Sequence, residues 1–97
     1  MPSTRRLRLP SELASFVAHL SPAIKRKIRD GLDALLGDPA EGKPLRAELA
    51  GLWSLRVGRF RIIYRPQGAI LEIVAIGPRE TIYQEAGRLM AVKSRFA

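Results

Sequence analysis

Four side chains in this sequence have the types and spacing to act on a phosphate. Two lie in "LWSLRVGRFRIIYRP", residues 52–66, where Arg56, Arg59, Arg61 and Arg65 stand among apolar residues. The other two lie in "IGPRETIYQEA", residues 76–86, where Arg79 and Tyr83 stand at i and i+4. If Gly58–Arg59 is a two-residue hairpin loop, with Gly supplying the positive φ the turn needs, the register follows. Val57 opposes Phe60, Leu55 opposes Ile62 and Trp53 opposes Tyr64, all on one apolar face. The same register sets Arg56 directly opposite Arg61 on the other face. Like charges so placed destabilise a sheet by some tenths of a kcal/mol. Extension into water, or compensation by Glu72 on the next strand, would relieve the repulsion without a ligand. A bound phosphate would also relieve it, and the planar, permanently charged guanidinium suits bidentate phosphate contact. On this register Arg59 is a turn residue and Arg65 an exposed strand end.

The second pair has the same two readings. An arginine in the first turn of a helix opposes the macrodipole unless an anion sits there, and a helix N-terminus is itself a seat for anions. With Tyr83 one turn on, Arg79 suits a phosphate with an attached base. Alternatively Tyr83 packs into the core and Arg79 pairs with Glu80 or solvent.

These residues need elements to position them. "TRRLRL" before Pro10 predicts a short strand over Thr4–Leu9. Ser11 is placed to cap a helix whose apolar face is Leu13, Phe16, Val17 and Leu20. Ser21–Pro22 restarts a helix with the stripe Ile24, Ile28, Leu32, Leu35 and Leu36, ended by Gly37 and Asp38–Pro39. The two form a helical hairpin able to cover one sheet face. Residues 38–52 hold two prolines and two glycines; they predict an ordered loop with a helical turn near Leu45–Leu49, long enough to suggest function. Strands are expected at Trp53–Val57, Phe60–Arg65 and Ile70–Ile76, with turns at Gly58–Arg59 and Gln67–Gly68. That second turn would set Arg61 against Val74 and Ile63 against Glu72, with Leu71, Ile73 and Ala75 on the core face. After Gly77–Pro78 a last helix runs through Ile82, Ala86, Leu89 and Met90. The expected fold is α+β, β-αα-βββ-α: a largely antiparallel four-stranded twisted sheet with a helical hairpin on one face, and the C-terminal segment half covering the other.

Composition bounds the chemistry. The 97 residues predict one domain over 1–97. No cysteine is present, which excludes disulfides, thiolate zinc sites and a cysteine nucleophile. The one histidine, His19, falls at the solvent edge of the first helix; no cofactor or metal is implied. No apolar run approaches the roughly 20 residues of a membrane helix, and no secretory leader is visible, so the expected location is cytoplasmic. Seventeen Lys and Arg against nine Asp and Glu leave a net charge of +8. That field favours a polyanion as partner.

The run "LAGLWSLRVGRFRIIYRP", followed by "LEIVAIGPRETIY", resembles the RelE/ParE superfamily of toxins from bacterial type II toxin–antitoxin pairs. The match centres on Leu45 to Tyr83, and the preceding helical hairpin and strand agree in order and length. Closer likeness to the RelE type implies a ribosome-dependent mRNA endonuclease, an mRNA interferase that inhibits translation by cleaving in the A site. There the 2′-hydroxyl attacks the adjacent phosphate. The resemblance carries the catalytic roles onto Arg56, Arg61, Arg79 and Tyr83. It places Ser54 where such enzymes often carry another lysine, and Pro78 where Lys or His often precedes the late arginine. Two alternatives share the fold: a ParE-like inhibitor of DNA gyrase acting by protein binding, and a degenerate toxin without catalysis. All three imply a cognate antitoxin with an acidic binding segment.

Overall fold

The structure, a computed structural model, describes residues 5–96. For Arg79, Glu80 and 90–96 it describes the backbone alone. The elements run β1 (Arg6–Arg8), α1 (Ser11–Ala18), α2 (Pro22–Gly37), β2 (Lys43–Pro44), β3 (Trp53–Val57), β4 (Phe60–Gln67), β5 (Ile70–Pro78) and α3 (Arg79–Phe96). The expected strand start at Thr4, and the packing of Met90 on the last helix, fall outside what is described.

Among the described residues the sheet has five strands in the order β1-β5-β4-β3-β2. Its pairs are antiparallel except for β1, which runs parallel to β5. The α+β class and element order match expectation, with one strand more than the four expected. The addition is β2, two residues inside the long loop, pairing Lys43 with Ser54 and Pro44 with Trp53. A proline at a sheet edge sacrifices no ladder bond, which is why so short and proline-bearing a strand is tolerated there. The expected helical turn near Leu45–Leu49 is present as a 3₁₀ turn over Ala47–Leu49.

Both faces of the sheet are covered. The α1–α2 hairpin packs on Ile62, Tyr64, Leu71, Ile73 and Ile76, joined by Trp53, Leu55, Val57 and Phe60. Helix α2 begins as its sequence dictates, with Ser21 at the N-cap and Pro22 in the first turn. In α1, by contrast, the N-cap is Pro10 and Ser11 is the first helical residue. Gly31 sets the depth of α2 against the sheet: a Cβ there would meet Val57 Cγ2 at 3.0 Å and Leu55 Cδ2 at 3.3 Å. At the other end of α2, the Arg5 guanidinium donates to the Leu36 carbonyl at 3.0 Å, a cation at the negative end of the helix dipole. On the opposite face α3 sets Ile82 and Ala86 on Leu52, Ile63, Val74 and Ala75.

The β3–β4 register is the expected one, Arg56 opposite Arg61 included. Gly58 takes φ +60° at the first turn position. The β4–β5 register differs from expectation. Its turn is Gly68–Ala69, with Gln67 paired to Ile70, because Gly68, at φ +58°, occupies the first loop position as Gly58 does. A bulge then shifts the ladder between Ile63 and Tyr64, so that Ile63 pairs with Ala75 and Arg61 with Gly77. Arg61 therefore does not face Val74, nor Ile63 Glu72. The bulge also turns Ala75 from the expected core face to the α3 side, while Ile76 joins the other core.

Candidate functional site

The α3 side of the β3–β4 hairpin brings three of the four expected residues into one neighbourhood. Strand alternation puts Ser54 and Arg56 on that face of β3, and Ile63 and Arg61 opposite them on β4. Arg61 is half-buried and Arg56 exposed. Beyond Arg61 the next position across the sheet is Gly77, which is backbone alone. A Cβ there would approach Ile82 Cδ1 to 3.0 Å, so the glycine lets α3 descend close to the sheet beside the arginine.

Tyr83 reaches this face from the second turn of α3. It packs against the smaller core, and its hydroxyl shares a hydrogen bond of 3.3 Å with Ser54 Oγ. Of the two sequence readings of Tyr83, the packed ring is the one observed, with its phenol pointing to the sheet. Ser54 and Arg56 are neighbours on one strand face, roughly 7 Å apart along β3, so the phenol sits one row from the arginine pair. Ser54 is 4% exposed. Its hydroxyl, opposite Ile63 and beneath α3, is what holds the phenol. Sequence reasoning missed that partnership, because nothing in a chain's spacing pairs a strand serine with a helix tyrosine 29 residues on.

The two arginines differ. The Arg56 Nε donates to the Gly58 carbonyl at 3.4 Å, bending the side chain toward the turn. Among the described residues, no hydrogen bond or ion pair engages the Arg61 guanidinium. Glu72 does not offset this pair. It is buried beside Arg65, whose Nε and Nη2 both donate to Glu72 Oε1, at 3.0 and 2.6 Å. Arg65 is accordingly a half-buried structural partner, not an exposed strand end. The fourth expected residue, Arg79, is the first residue of α3, directly after β5; its side chain lies outside the described residues. His19 is exposed at the end of α1, its Nδ1 donating to the Ser15 carbonyl at 2.7 Å. No helix among the described residues is long and apolar enough to cross a membrane.

The arrangement is a cationic patch with a phenol at its edge, able to grip an anionic oxygen through Arg61. Comparison with known proteins bears on the family of the chain. A family model described as the ParE toxin of the type II toxin–antitoxin system parDE matches residues 7–83. No curated protein matches significantly by sequence. Among solved structures, a chain of the toxin–antitoxin complex RelBE2 from Mycobacterium tuberculosis is 30% identical, with a TM-score of 0.67 over 81% of this chain and 93% of that one. The E. coli toxin RelE in the free state, with two arginines replaced by alanine, is 18% identical, at a TM-score of 0.68 over 88% of this chain and 96% of that one. An archaeal RelE–RelB complex from Pyrococcus horikoshii is 21% identical, at 0.62 over 78% and 96%. The last two likenesses concern the fold alone.

Proposed function

This chain belongs to the ParE toxin family of type II toxin–antitoxin systems, within the RelE/ParE superfamily, and from that premise we propose that it is a ribosome-dependent endoribonuclease that cuts mRNA. The observation that carries the reading is the arginine pair across β3 and β4, with Arg61 unengaged among the described residues. A sheet has no structural use for two guanidinium groups in register. A scissile phosphate does, because negative charge builds on its non-bridging oxygens in the transition state.

In this mechanism the 2′-hydroxyl of the substrate attacks the adjacent phosphorus and the bond to the 5′-oxygen of the next nucleotide breaks. A 2′,3′-cyclic phosphate and a 5′-hydroxyl result. The attacking hydroxyl loses one proton and the leaving oxygen gains one. Arg61, with Arg56 beside it, stabilises the phosphoryl oxygens. Arg79, at the start of α3, assists the leaving oxygen. Tyr83, held by Ser54 at 3.3 Å, stacks on a base or takes part in moving the proton. The ribosome orients the strand, so few protein groups are required. An antitoxin with an acidic binding segment is the partner that neutralises the same patch.

A second reading, inhibition of DNA gyrase by protein binding, is favoured by the matching family model, which is the ParE one. One experiment separates the two. The toxin is induced in cells without antitoxin and RNA ends are mapped, beside Arg61→Ala and Tyr83→Phe, while purified gyrase is assayed for cleavage complexes. Cuts clustered within translated codons and lost in Arg61→Ala support the nuclease. Intact transcripts with accumulating gyrase cleavage complexes refute it in favour of the poison, and a harmless, uncut outcome identifies a toxin without catalysis.

A further inference from the structure

The turn between β3 and β4 does more than connect two strands. With α2 it encloses a recess of about 320 Å³, lined by Ile24, Lys27, Arg56, Val57, Arg59 and Phe60 together with the Gly58 backbone. Its floor is apolar: Ile24, Val57 and Phe60 pack against the main core, and the Phe60 ring is held 6.4 Å from that of Phe16. Its rim is cationic, with Lys27, Arg56 and Arg59, and no carboxylate lines it. Lys27 and Arg59 are exposed and have no structural task among the described residues.

Arg56 joins this recess to the arginine patch. Its backbone pairs with Arg61 on the α3 side, yet its side chain bends to the Gly58 carbonyl and lines the recess beside α2. The edge of β3 is open there, because β2 pairs with Trp53 and Ser54 only. A polyanionic chain gripped at Arg61 can therefore pass over Arg56 and around the strand edge without meeting another strand.

We propose that this recess is a nucleotide subsite. It would hold one base of single-stranded RNA against Ile24 and Phe60 and the flanking phosphates on Lys27, Arg56 and Arg59. In this assignment Arg56 also positions the strand, standing between the recess and the scissile phosphate at Arg61. The proposal rests on the reading of the chain as an RNA-cleaving toxin. A nucleotide suits the recess better than an acidic peptide does. It supplies charge and a flat apolar surface in one unit, and guanidinium groups and aromatic rings are the usual platforms for unstacked bases.

The test is fluorescence anisotropy of a short labelled single-stranded RNA titrated with the free toxin at several salt concentrations. K27A/R59A is expected to lower affinity about tenfold and to flatten the log–log salt dependence by about 1.4, near 0.7 for each phosphate of a single strand that is no longer neutralised. R26A/R29A, which removes the same charge from exposed positions of α2, is expected to change affinity less than about threefold, since it alters only the general field. An abasic strand of equal length should bind the wild type several-fold more weakly, the loss of base stacking. Equal losses in the two double variants would overturn the proposal, as would an abasic strand that binds as well as RNA. So would an acidic peptide whose binding depends on Lys27 and Arg59 while RNA binding does not. The two readings fail separately. Recess-dependent RNA binding by a protein that cuts nothing sinks the nuclease, whereas a cleaving protein whose RNA affinity ignores K27A/R59A sinks the subsite.

Discussion

Replacing Tyr64 by Phe removes one oxygen from the centre of the molecule and tests what holds the long loop in place. Tyr64 is fully buried on β4, with its ring 6.3 Å from Trp53. Its hydroxyl donates to the Pro39 carbonyl at 2.5 Å and accepts from the Gly42 N–H at 3.1 Å. One phenol thereby pins both ends of the segment that leads into β2. Phenylalanine keeps the ring and its apolar burial, so the change isolates the two hydrogen bonds. Each backbone group left without a partner costs about 1–3 kcal/mol. Both sites are only partly buried, so the low end of that range applies to each, and the expected loss is about 2–3 kcal/mol. For a chain of this size that lowers the melting temperature by about 10–20 °C. Circular dichroism measures the shift, and hydrogen exchange at the Gly42 amide locates it. A melting temperature within about 3 °C of wild type, with Gly42 equally protected, would refute the reasoning. Water would then serve the loop as well as the phenol does.

The same phenol makes a pH prediction. Burial holds its pKa above the ordinary 10.0, with Asp38 and Glu41 adding to the rise and the Gly42 hydrogen bond opposing it. The unfolded chain gives up this proton near pH 10 while the folded chain keeps it, so there the native state binds more protons. The stabilisation is fully present below pH 10 and is lost as pH climbs through the folded pKa. Stability of the wild type should decline from about pH 10 upward, and Tyr64→Phe should lose that part of the decline.

Three other substitutions probe the frame and the patch. Gly42→Ala sets a Cβ 2.5 Å from both the Ser54 carbonyl oxygen and the Tyr64 hydroxyl; one of these is backbone, so β2 should detach, with a loss of more than about 2 kcal/mol read by thermal melting. Arg65→Met removes the guanidinium from the buried Glu72 carboxylate; because Arg65 is itself 27% exposed, about 2–3 kcal/mol is expected at neutral pH, read by thermal melting. Arg56→Thr removes the like-charge pair and should stabilise the fold by a few tenths of a kcal/mol while weakening growth arrest in cells; unchanged toxicity would dismiss Arg56 from the site.

What could be read from residues alone follows a physical line. The β3–β4 hairpin was legible because its turn and its alternation agree: Gly58 must come first in the loop, and Trp53, Leu55 and Val57 alternate with Ser54 and Arg56. The arginine pair came with that register. The β4–β5 hairpin was not, for two reasons. A loop read with Gly68 second would put the positive φ on Gln67, whereas the rule used for Gly58 puts Gly68 first; its application would have found the turn. The bulge is a different matter. From Leu71 to Ile76, β5 is buried throughout, because α1 and α2 cover one face and α3 the other. A strand apolar on both faces carries no alternation from which to read register, so an extra residue at Val74 leaves no trace in the pattern. Yet that residue decides the site. Added to the turn, it moves Gly77, and not Ile76, to the position beside Arg61, and the missing side chain there lets α3 descend close to the sheet. The charge of the site was written in the hairpin; the space around it depends on packing from both sides, which only the folded chain displays.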